Sequence, residues 1–495
     1  MAISLRRVLF ALLSVVPGLA YAQSPGPSLA PDSAVLATLR ARVDAGHAAG
    51  IVVALIDAYP ARSGTATAPA EPRTRVVAYG HGAGGRPLDA HSLFEIGSIT
   101  KTFTAVALAR MAADGTVRLD QPVADLLPRG AVVPSRAGRP IRLVDLATHT
   151  SGLPRLPDNL KPRDLADPYA DYDGARLLAF LAHYELPRDP GAQYEYSNLG
   201  AGLLGYALAR RAGVPYEQLV RERILRPLGM TETAIALDPA LRARFAPGHD
   251  ASGVAVHDWT FDALAGAGAL RSTAADMARY IVANLAAARG EGAGSLNAAL
   301  AAAHTRRADT GIPNLAIGLA WHRVARPDGD TVVWHNGQTG GYASFVGFSP
   351  RRGVGVVVLS NSSITVDDLG LTILSNLPLP SLATAPPAPP RERTAIALPA
   401  ADLERFVGEY PLAPTFVIAV RRDGDHLFAQ ATGQPAAELF ADSPTTFFLR
   451  VVDAQIEFQT DASGAVTGLV LVQNGRRLPA TKRLTTSTAA PPAAP

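Results

Sequence analysis

Cysteine is absent from all 495 residues of the chain. The sequence therefore excludes disulfide bonds, thiolate metal sites and a cysteine nucleophile, and a chain of this length is expected to gain its stability by burying a core. The net charge is only +3 and the arginines are scattered among acidic residues, so a nucleic acid partner is not expected. No pair among the 11 histidines has the H-E-x-x-H spacing of a zinc site, and we predict neither a metal nor a cofactor.

Long apolar runs are also missing from the chain after its N-terminal segment. No run in that part of the sequence approaches the roughly 20 residues needed to cross a bilayer. In the N-terminal segment, two arginines precede the apolar run Val8–Ala20, and Ala20-Tyr21-Ala22 has the small residues of a cleavage site. This pattern is typical of a cleavable secretory signal peptide. We therefore expect a mature protein that begins at Gln23, is periplasmic or secreted, and has no membrane span.

Stretches rich in proline, alanine and serine separate two blocks that have the composition of folded domains. The predicted divisions are a signal peptide at 1–22, a lead-in at 23–33, a catalytic domain at 34–376, a linker at 377–402, a β-rich accessory domain at 403–484 and a disordered tail at 485–495.

The first block combines strand and helix patterns. Strands are predicted at Ile51–Asp57, Arg75–Tyr79, Thr331–Trp334, Ala343–Phe348 and Val354–Leu359, and helices at Ser98–Ala113, Leu199–Arg211 and Val366–Leu374. Short connections between the late strands favour antiparallel pairing. The pattern predicts an α+β fold in which an antiparallel sheet is flanked by helices and carries a helical subdomain.

The second block has an almost continuous strand pattern. Its predicted strands are Phe416–Val420, His426–Gln430, Thr446–Val452, Gln455–Gln459 and Gly468–Gln473. We expect a small C-terminal all-β domain, a barrel or a sandwich. It contains no catalytic constellation, so its predicted role is structural or substrate-limiting.

Lysine is the scarcest charged residue, with 3 lysines among 46 basic residues. Lys101 follows Ser98 by three residues at the start of a predicted helix, where positions three apart share a face. A serine hydroxyl needs a neighbour that removes its proton, and a buried lysine, unlike arginine, can lose its own charge to do so. The alternative is that Ser98 is an ordinary helix N-cap and Lys101 an exposed helix residue.

A second segment, 194–200, places Tyr196 and Asn198 directly before another predicted helix. The phenol of Tyr196, made more acidic by Lys101, is a candidate proton shuttle. The amide of Asn198 is a candidate for holding a substrate carbonyl and orienting the lysine. The alternative is a capped turn in which Asn198 is the cap and Tyr196 is packed.

A third segment, 334–342, contains His335, Gly337 and Gln338 at the end of a predicted strand. Its glycines would let a substrate approach the strand edge and lie along it as an added strand. The alternative is a glycine-rich hairpin turn with a partly exposed histidine.

Taken in this order, the three segments resemble the serine β-lactamase and penicillin-binding-protein superfamily, and Tyr-x-Asn at the second segment points to its class C branch. The stretches 146–154, 227–230 and 268–277 resemble the same branch. The resemblance covers most of the first block. It implies a β-lactamase/transpeptidase-like fold and a serine acyl-enzyme that needs no cofactor.

The resemblance also implies a role for each residue. Ser98 would be the acylated nucleophile and Lys101 the group that takes its proton. Tyr196 would take part in proton transfer to the leaving group and in activating the deacylating water, while Asn198 positions the substrate. The oxyanion hole would consist of the backbone N–H groups of Ser98 and Gln338.

Two departures from the family pattern concern the substrate. The β-lactamases usually have Lys-Thr-Gly as their third motif, whereas this chain has His335-Asn336-Gly337, a histidine familiar among D-Ala-D-Ala peptidases and esterases. The charge of a histidine near neutral pH is conditional, so binding of a substrate carboxylate by His335 and Gly337 is less secure. The segment Arg155-Leu156-Pro157 also lacks a glutamine that class C enzymes commonly carry nearby.

The leading expectation is a class C-type β-lactamase that hydrolyses the β-lactam amide. One alternative is a D-Ala-D-Ala carboxypeptidase, endopeptidase or esterase with the same site. Another is a penicillin-binding sensor that forms an adduct without turnover. In each case the expected partner is a small-molecule β-lactam, peptide or ester, and the sequence does not specify the oligomeric state.

Overall fold

The computed structural model describes residues 29–58, 71–379, 395–413, 416–431, 437–449, 454–473 and 476–483. They fall into two compact units, 29–379 and 395–483. The predicted signal peptide and the predicted tail lie outside the described residues, as do most residues of the predicted lead-in and linker. None of the helices in the described ranges is long and apolar enough to cross a membrane.

The first unit alternates between strands and helices. Its strands are β1 (Gly50–Asp57), β2 (Arg73–Gly80), β3 (Leu93–Glu95), β4 (Ser135–Arg136), β5 (Arg139–Pro140), β6 (Gly248–His249), β7 (Ala255–Val256), β8 (Arg271–Thr273), β9 (Ala308–Ile312), β10 (Leu315–Ile317), β11 (His322–Ala325), β12 (Thr331–Gln338), β13 (Ala343–Ser349) and β14 (Val354–Ser360). Its α-helices are α1 (Asp32–Asp44), α2 (Thr100–Ala113), α3 (Leu143–Ala147), α4 (Gly174–His183), α5 (Asn198–Ala212), α6 (Tyr216–Val220), α7 (Pro239–Arg242), α8 (Ala265–Gly268), α9 (Ala274–Ala288), α10 (Ser295–His304) and α11 (Asp367–Leu374).

Eight antiparallel strands of this unit form one sheet in the order β2-β1-β14-β13-β12-β11-β10-β9. The pairing of β1 with β14 joins the beginning of the unit to its end. The long excursion between β2 and β9 contains α2 to α10. The predicted α+β class, with an antiparallel sheet, flanking helices and a helical subdomain, is confirmed.

Both faces of β1 are buried, and alternate residues point to opposite faces. Val52 and Ile56 join the core that contains Ile281 of α9. Val53 joins the other core, which contains Leu39 of α1. A strand covered on both faces carries apolar residues in succession, which is why β1 reads as an unbroken apolar run.

The predicted strands and helices of the first unit are present, and two shifted ends bear on the site. The helix predicted from Ser98 begins at Thr100, and a 3-10 turn over Gly97–Ile99 precedes it. The strand predicted to end at Trp334 continues to Gln338. The third motif therefore lies on a strand rather than in a hairpin turn.

The second unit is an up-and-down sheet of eight antiparallel strands in sequence order. After a short helix, α12 (Ala400–Leu403), come β15 (Gly408–Ala413), β16 (Phe416–Asp423), β17 (His426–Ala431), β18 (Ala437–Ala441), β19 (Thr446–Leu449), β20 (Ala454–Thr460), β21 (Val466–Gln473) and β22 (Arg476–Thr481). The N–H of Arg483 donates a 2.8 Å hydrogen bond to the carbonyl of Glu409. The sheet thus curls until its first and last strands meet, which favours the barrel over the sandwich.

The all-β prediction for this unit is confirmed, although the sequence predicted five of its strands and missed β15, β18 and β22. Two of the missed strands contain proline, Pro411 in β15 and Pro479 in β22. Because proline lacks the N–H that a strand ladder uses, it weakens the strand signal in a sequence.

Candidate active site

The turn before α2 positions Ser98 against strand β12. Gly97 has φ +47°, and a Cβ atom there would lie 2.7 Å from the backbone nitrogen of Gln338. Glycine accepts this left-handed conformation and leaves room for the strand. The predicted oxyanion-hole residues Ser98 and Gln338 are therefore brought close together. Their pairing as donors is still a prediction.

Lys101 lies within hydrogen-bonding distance of Ser98, because its Nζ is 2.8 Å from Ser98 Oγ. Nζ also donates a 2.7 Å hydrogen bond to the carbonyl oxygen of Ala267, which lies in the buried helix α8. The side chain is 1% exposed. Burial, reinforced by the charge of Arg155, holds the pKa of Lys101 well below its usual range. This geometry is that of a neutral amine that can accept the serine proton, not of an exposed helix residue.

Tyr196 lies over Lys101, with Nζ 5.0 Å from the ring centroid. Two further groups contact the Tyr196 ring. The ring of His149 stacks on it with 4.4 Å between the centroids, and the guanidinium of Arg155 lies 5.0 Å from its centroid. Burial raises the pKa of Tyr196 to about 12, and the charge of Arg155 and a hydrogen bond with the Ser98 side chain oppose this only in part. The expectation that Lys101 makes the phenol more acidic is wrong for this state, because an uncharged amine does not stabilise a phenolate.

Asn198 begins helix α5, but its neighbour Ser197 is the N-cap and accepts a 2.8 Å hydrogen bond from the N–H of Gly200. The Asn198 side chain hydrogen-bonds to Tyr169, and its Oδ1 is buried without a partner among the described residues. The amide therefore has one free acceptor oxygen. The expected contact that orients Lys101 is made by the Ala267 carbonyl instead.

Gly337 allows β12 to pass very close to the segment before Ser98. A Cβ atom at Gly337 would lie 2.0 Å from the carbonyl oxygen of Ile96 and 2.4 Å from Ser344 Oγ. The side chain of Gln338 turns away and donates a 2.7 Å hydrogen bond to the carbonyl of Ser363. Only the backbone of Gln338 is thus available to the cleft, which fits its predicted role.

His335 is fully buried rather than partly exposed. Its ring lies 5.3 Å from that of His322 and 6.4 Å from that of Tyr196. Burial, together with His322 and Lys101, holds the pKa of His335 well below its usual range. The ring is neutral at physiological pH and cannot supply the positive charge that a lysine supplies at this motif.

Several residues that surround this centre were not predicted from the sequence. Ala267 contributes only a backbone carbonyl, for which no side-chain signal exists. His149 lies in the stretch 146–154, which resembles the family, but the sequence gives no signal for its stacking on Tyr196. Arg155 lies in the segment that lacks the family glutamine, and the sequence gives no signal for its contact with the Tyr196 ring. Among the described residues, no group of three acidic or histidine side chains is arranged to hold a metal ion.

The fold and the serine, lysine and tyrosine at its centre define a serine hydrolase of the β-lactamase type. A family model described as "Beta-lactamase" matches residues 52–377, and a second, described as "Domain of unknown function (DUF3471)", matches residues 392–481. The chain therefore belongs to the Beta-lactamase family and is a serine hydrolase.

The relatives of the chain include both β-lactamases and a D-alanyl-D-alanine carboxypeptidase/endopeptidase. The chain is 32% identical over 306 residues to the D-alanyl-D-alanine-carboxypeptidase/endopeptidase AmpH of Escherichia coli. This alignment covers 58% of this chain and 78% of that protein. It is 28% identical over 312 residues to a β-lactamase of Pseudomonas fluorescens, with 56% and 82% covered. The identities show the family and do not separate its substrates.

Solved structures show the same fold. A class C β-lactamase has a TM-score of 0.58 at 23% identity and covers 70% of this chain and 96% of its own. A β-lactamase/D-alanine carboxypeptidase from Yersinia pestis has a TM-score of 0.55 at 25% identity, with 70% and 95% covered.

Proposed function

We propose that the protein is a class C-type β-lactamase that hydrolyses the β-lactam amide through an acyl-enzyme on Ser98. The observation that carries this proposal is the 2.8 Å distance between Ser98 Oγ and the amine of the buried Lys101. A neutral amine at that distance can remove the proton that makes serine a weak nucleophile.

In the acylation step, Ser98 Oγ attacks the amide carbonyl while its proton moves to Lys101 Nζ. The amide C–N bond then breaks, the leaving nitrogen takes the proton of the Tyr196 hydroxyl, and Tyr196 recovers a proton from Lys101. The net result is a serine ester, a protonated leaving nitrogen, and a lysine and tyrosine in their starting states. A phenol with a pKa of about 12 suits the role of proton donor to an amine nitrogen.

Deacylation repeats these transfers with water in place of the serine. A proton of the attacking water passes to the Lys101–Tyr196 pair and returns to Ser98 Oγ as the ester bond breaks. The backbone N–H groups of Ser98 and Gln338 are the proposed donors to the developing oxyanion in both steps. Such a donor contributes about 3 kcal/mol, because it is aimed at charge that develops only in the transition state.

The experiment is intact-protein mass spectrometry after exposure to a penicillin, combined with turnover of a chromogenic cephalosporin. The proposal expects a short-lived adduct of one penicillin per chain, steady-state hydrolysis of the cephalosporin, and loss of both in Ser98→Ala. A wild-type protein that forms no adduct and hydrolyses no substrate would contradict it. One equivalent of stable adduct without turnover would indicate a penicillin-binding sensor instead.

A second candidate is a D-Ala-D-Ala carboxypeptidase or endopeptidase with the same residues in the same roles. Two observations favour it: the relationship to AmpH and the neutral His335 at the third motif. An adduct that lasts for many minutes, together with release of D-alanine from a D-Ala-D-Ala peptide, would support this candidate over the first.

Export completes the proposal. Residues 1–22 are proposed to direct secretion and to be removed, which would place the enzyme in the periplasm or outside the cell. N-terminal sequencing of the protein recovered from an extracellular or periplasmic fraction should begin at Gln23. An intact Met1 in that fraction would exclude cleavage.

A further inference from the structure

Arg155 is held at the active site by the segment that carries Tyr196 and Asn198. Its backbone carbonyl accepts hydrogen bonds from the N–H groups of Asn198 and Leu199, at 3.0 and 3.2 Å, so it helps to cap helix α5. Its guanidinium lies 5.0 Å from the centroid of the Tyr196 ring. The same ring faces the amine of Lys101, also 5.0 Å away. The guanidinium and the catalytic amine therefore both contact the Tyr196 ring.

No carboxylate among the described residues forms an ion pair with Arg155, whereas Arg42, Arg188 and Arg271 each have one. The side chain is half-buried, and its Nε is buried without a hydrogen-bond partner. Leaving this N–H buried without an acceptor is costly, since it has lost water without gaining a hydrogen bond. The guanidinium therefore has room for an additional acceptor.

The other basic groups around Ser98 do not supply a fixed charge. The amine of Lys101 and the rings of His149 and His335 are buried, and each has its pKa held well below its usual range. Arginine stays charged at every physiological pH. Arg155 is consequently the permanent cation of this cluster.

We propose that Arg155 binds a carboxylate of the substrate, so that the enzyme selects anionic acyl donors. This inference rests on the proposed acyl-transfer function of Ser98. The planar guanidinium can form two parallel hydrogen bonds to a carboxylate while it packs on the Tyr196 ring. In this chain Arg155 performs the anion recognition that the neutral His335 cannot perform.

The test uses two pairs of thioesters that differ only in one charge. The first pair differs on the acyl side, N-succinylglycyl against N-succinamoylglycyl, with mercaptoacetamide as the leaving thiol. The second pair has a common N-acetylglycyl group and differs in the leaving thiol, mercaptoacetate against mercaptoacetamide. In wild type we expect kcat/KM to favour the carboxylate in one pair by about 10- to 100-fold, the range that a hydrogen-bonded charge supplies. The pair that responds identifies the side of the scissile bond that Arg155 contacts.

Arg155→Gln should abolish that preference, so that the ratio of kcat/KM between the charged and the neutral member of the pair falls to about 1, while Arg155→Lys should keep part of it. The control is Arg110→Gln, which removes the same charge from helix α2 about 14 Å along the helix axis from Lys101. This variant should keep the full preference. A preference that survives Arg155→Gln, or an equal loss for both members of the pair, would overturn the proposal and leave Arg155 a packing partner of Tyr196.

Binding to Ser98→Ala separates this inference from the hydrolase proposal. Calorimetry with the same thioesters should show tighter binding of the carboxylate member, and Ser98→Ala/Arg155→Gln should lose the difference. Equal affinities for both members in Ser98→Ala would overturn the role of Arg155 even if the wild type is an active hydrolase. A clear preference for binding the carboxylate member, without any turnover by the wild type, would support the role of Arg155 and overturn the hydrolase proposal.

Discussion

The amine of Lys101 is held by the carbonyl oxygen of Ala267, which accepts a 2.7 Å hydrogen bond from Nζ. A neutral amine has two N–H donors and one lone pair. Because Ala267 takes only one donor, the lone pair is left available to accept the proton of Ser98 Oγ, which lies 2.8 Å away. A backbone carbonyl can do this without a charge, so it does not restore the ordinary pKa of the lysine as a carboxylate would.

Replacing Lys101 with methionine should separate catalysis from stability. The variant removes the base, and acylation by a β-lactam should fall by at least 1,000-fold. It also removes a buried amine, so the free energy of unfolding should rise by about 1–2 kcal/mol at pH 7. Urea unfolding and the rate of penicillin adduct formation measure the two effects.

The pH dependence of this gain has a definite sign. The folded pKa of Lys101 is lowered, so above that pKa the unfolded chain binds one more proton than the folded chain. The wild type therefore recovers stability relative to Lys101→Met as pH rises toward the ordinary lysine pKa. The control is Lys161→Met, at an exposed lysine, which should change neither property. A less stable Lys101→Met protein would show that the amine is not a burden to the fold.

Tyr196→Phe should discriminate between leaving groups. The phenol is proposed to protonate the departing nitrogen, which an amine requires and a p-nitrophenolate does not. Acylation by an amide or β-lactam should fall by about 100- to 10,000-fold, the usual contribution of a general acid. Acylation by a p-nitrophenyl ester should fall far less. Stopped-flow measurement of both acylation rates tests the difference, and equal losses would mean that Tyr196 acts on the serine rather than on the leaving group.

Gly337→Ala should damage the site without touching any reacting side chain. The added Cβ would lie 2.0 Å from the Ile96 carbonyl, so β12 must move away from the turn that carries Ser98. A shift of about 1 Å is enough to lower acylation by about 100-fold. Adding Ser344→Ala should not rescue the variant, because the clash with the Ile96 backbone persists. Gly115→Ala, at a glycine of φ +75° with no atom within 4 Å of its Cβ position, should lose stability but keep activity.

The sequence predicted the parts of this protein that depend on short-range patterns. The predicted strand over Ile51–Asp57 is present because a strand covered on both faces has an apolar signal of its own. The spacing of Ser98 and Lys101 was sufficient to predict that their side chains lie close together, because the two residues lie in one turn. What the sequence did not predict depends on tertiary contacts: the Ala267 carbonyl comes from 166 residues away.

Burial explains the remaining errors. The acidity expected for Tyr196 and the conditional charge expected for His335 both assumed access to solvent. The fold buries His335 fully and Tyr196 in part, and desolvation outweighs the effect of their neighbours on both pKa values. Arg155 was overlooked for a related reason, since an unpaired arginine can be recognised only when the positions of all nearby carboxylates are known.

Acid should unfold this protein steeply. Burial lowers the pKa values of His304 and His322 to about 3, and those of His149 and His335 also lie well below the usual range. Below pH 6.5 the unfolded chain therefore binds more protons than the folded chain, and the free energy of unfolding falls as pH falls. Glu95 opposes this trend between pH 4.5 and 7, because burial raises its pKa to about 7 and the folded state holds its proton.

The balance of four histidines against one glutamate predicts a loss that steepens from pH 6.5 downward and reaches about 4 kcal/mol per pH unit near pH 5.5. Urea unfolding at pH 6.5, 6.0, 5.5 and 5.0 measures this slope. His304→Gln, outside the active site, should reduce the slope by about 1.4 kcal/mol per pH unit while activity at pH 7 is retained. An exposed histidine, His183, provides the control substitution. A free energy of unfolding that stays constant from pH 6.5 to 5.0 would mean that these rings accept protons in the folded state. The conclusion that His335 is neutral would then be wrong as well.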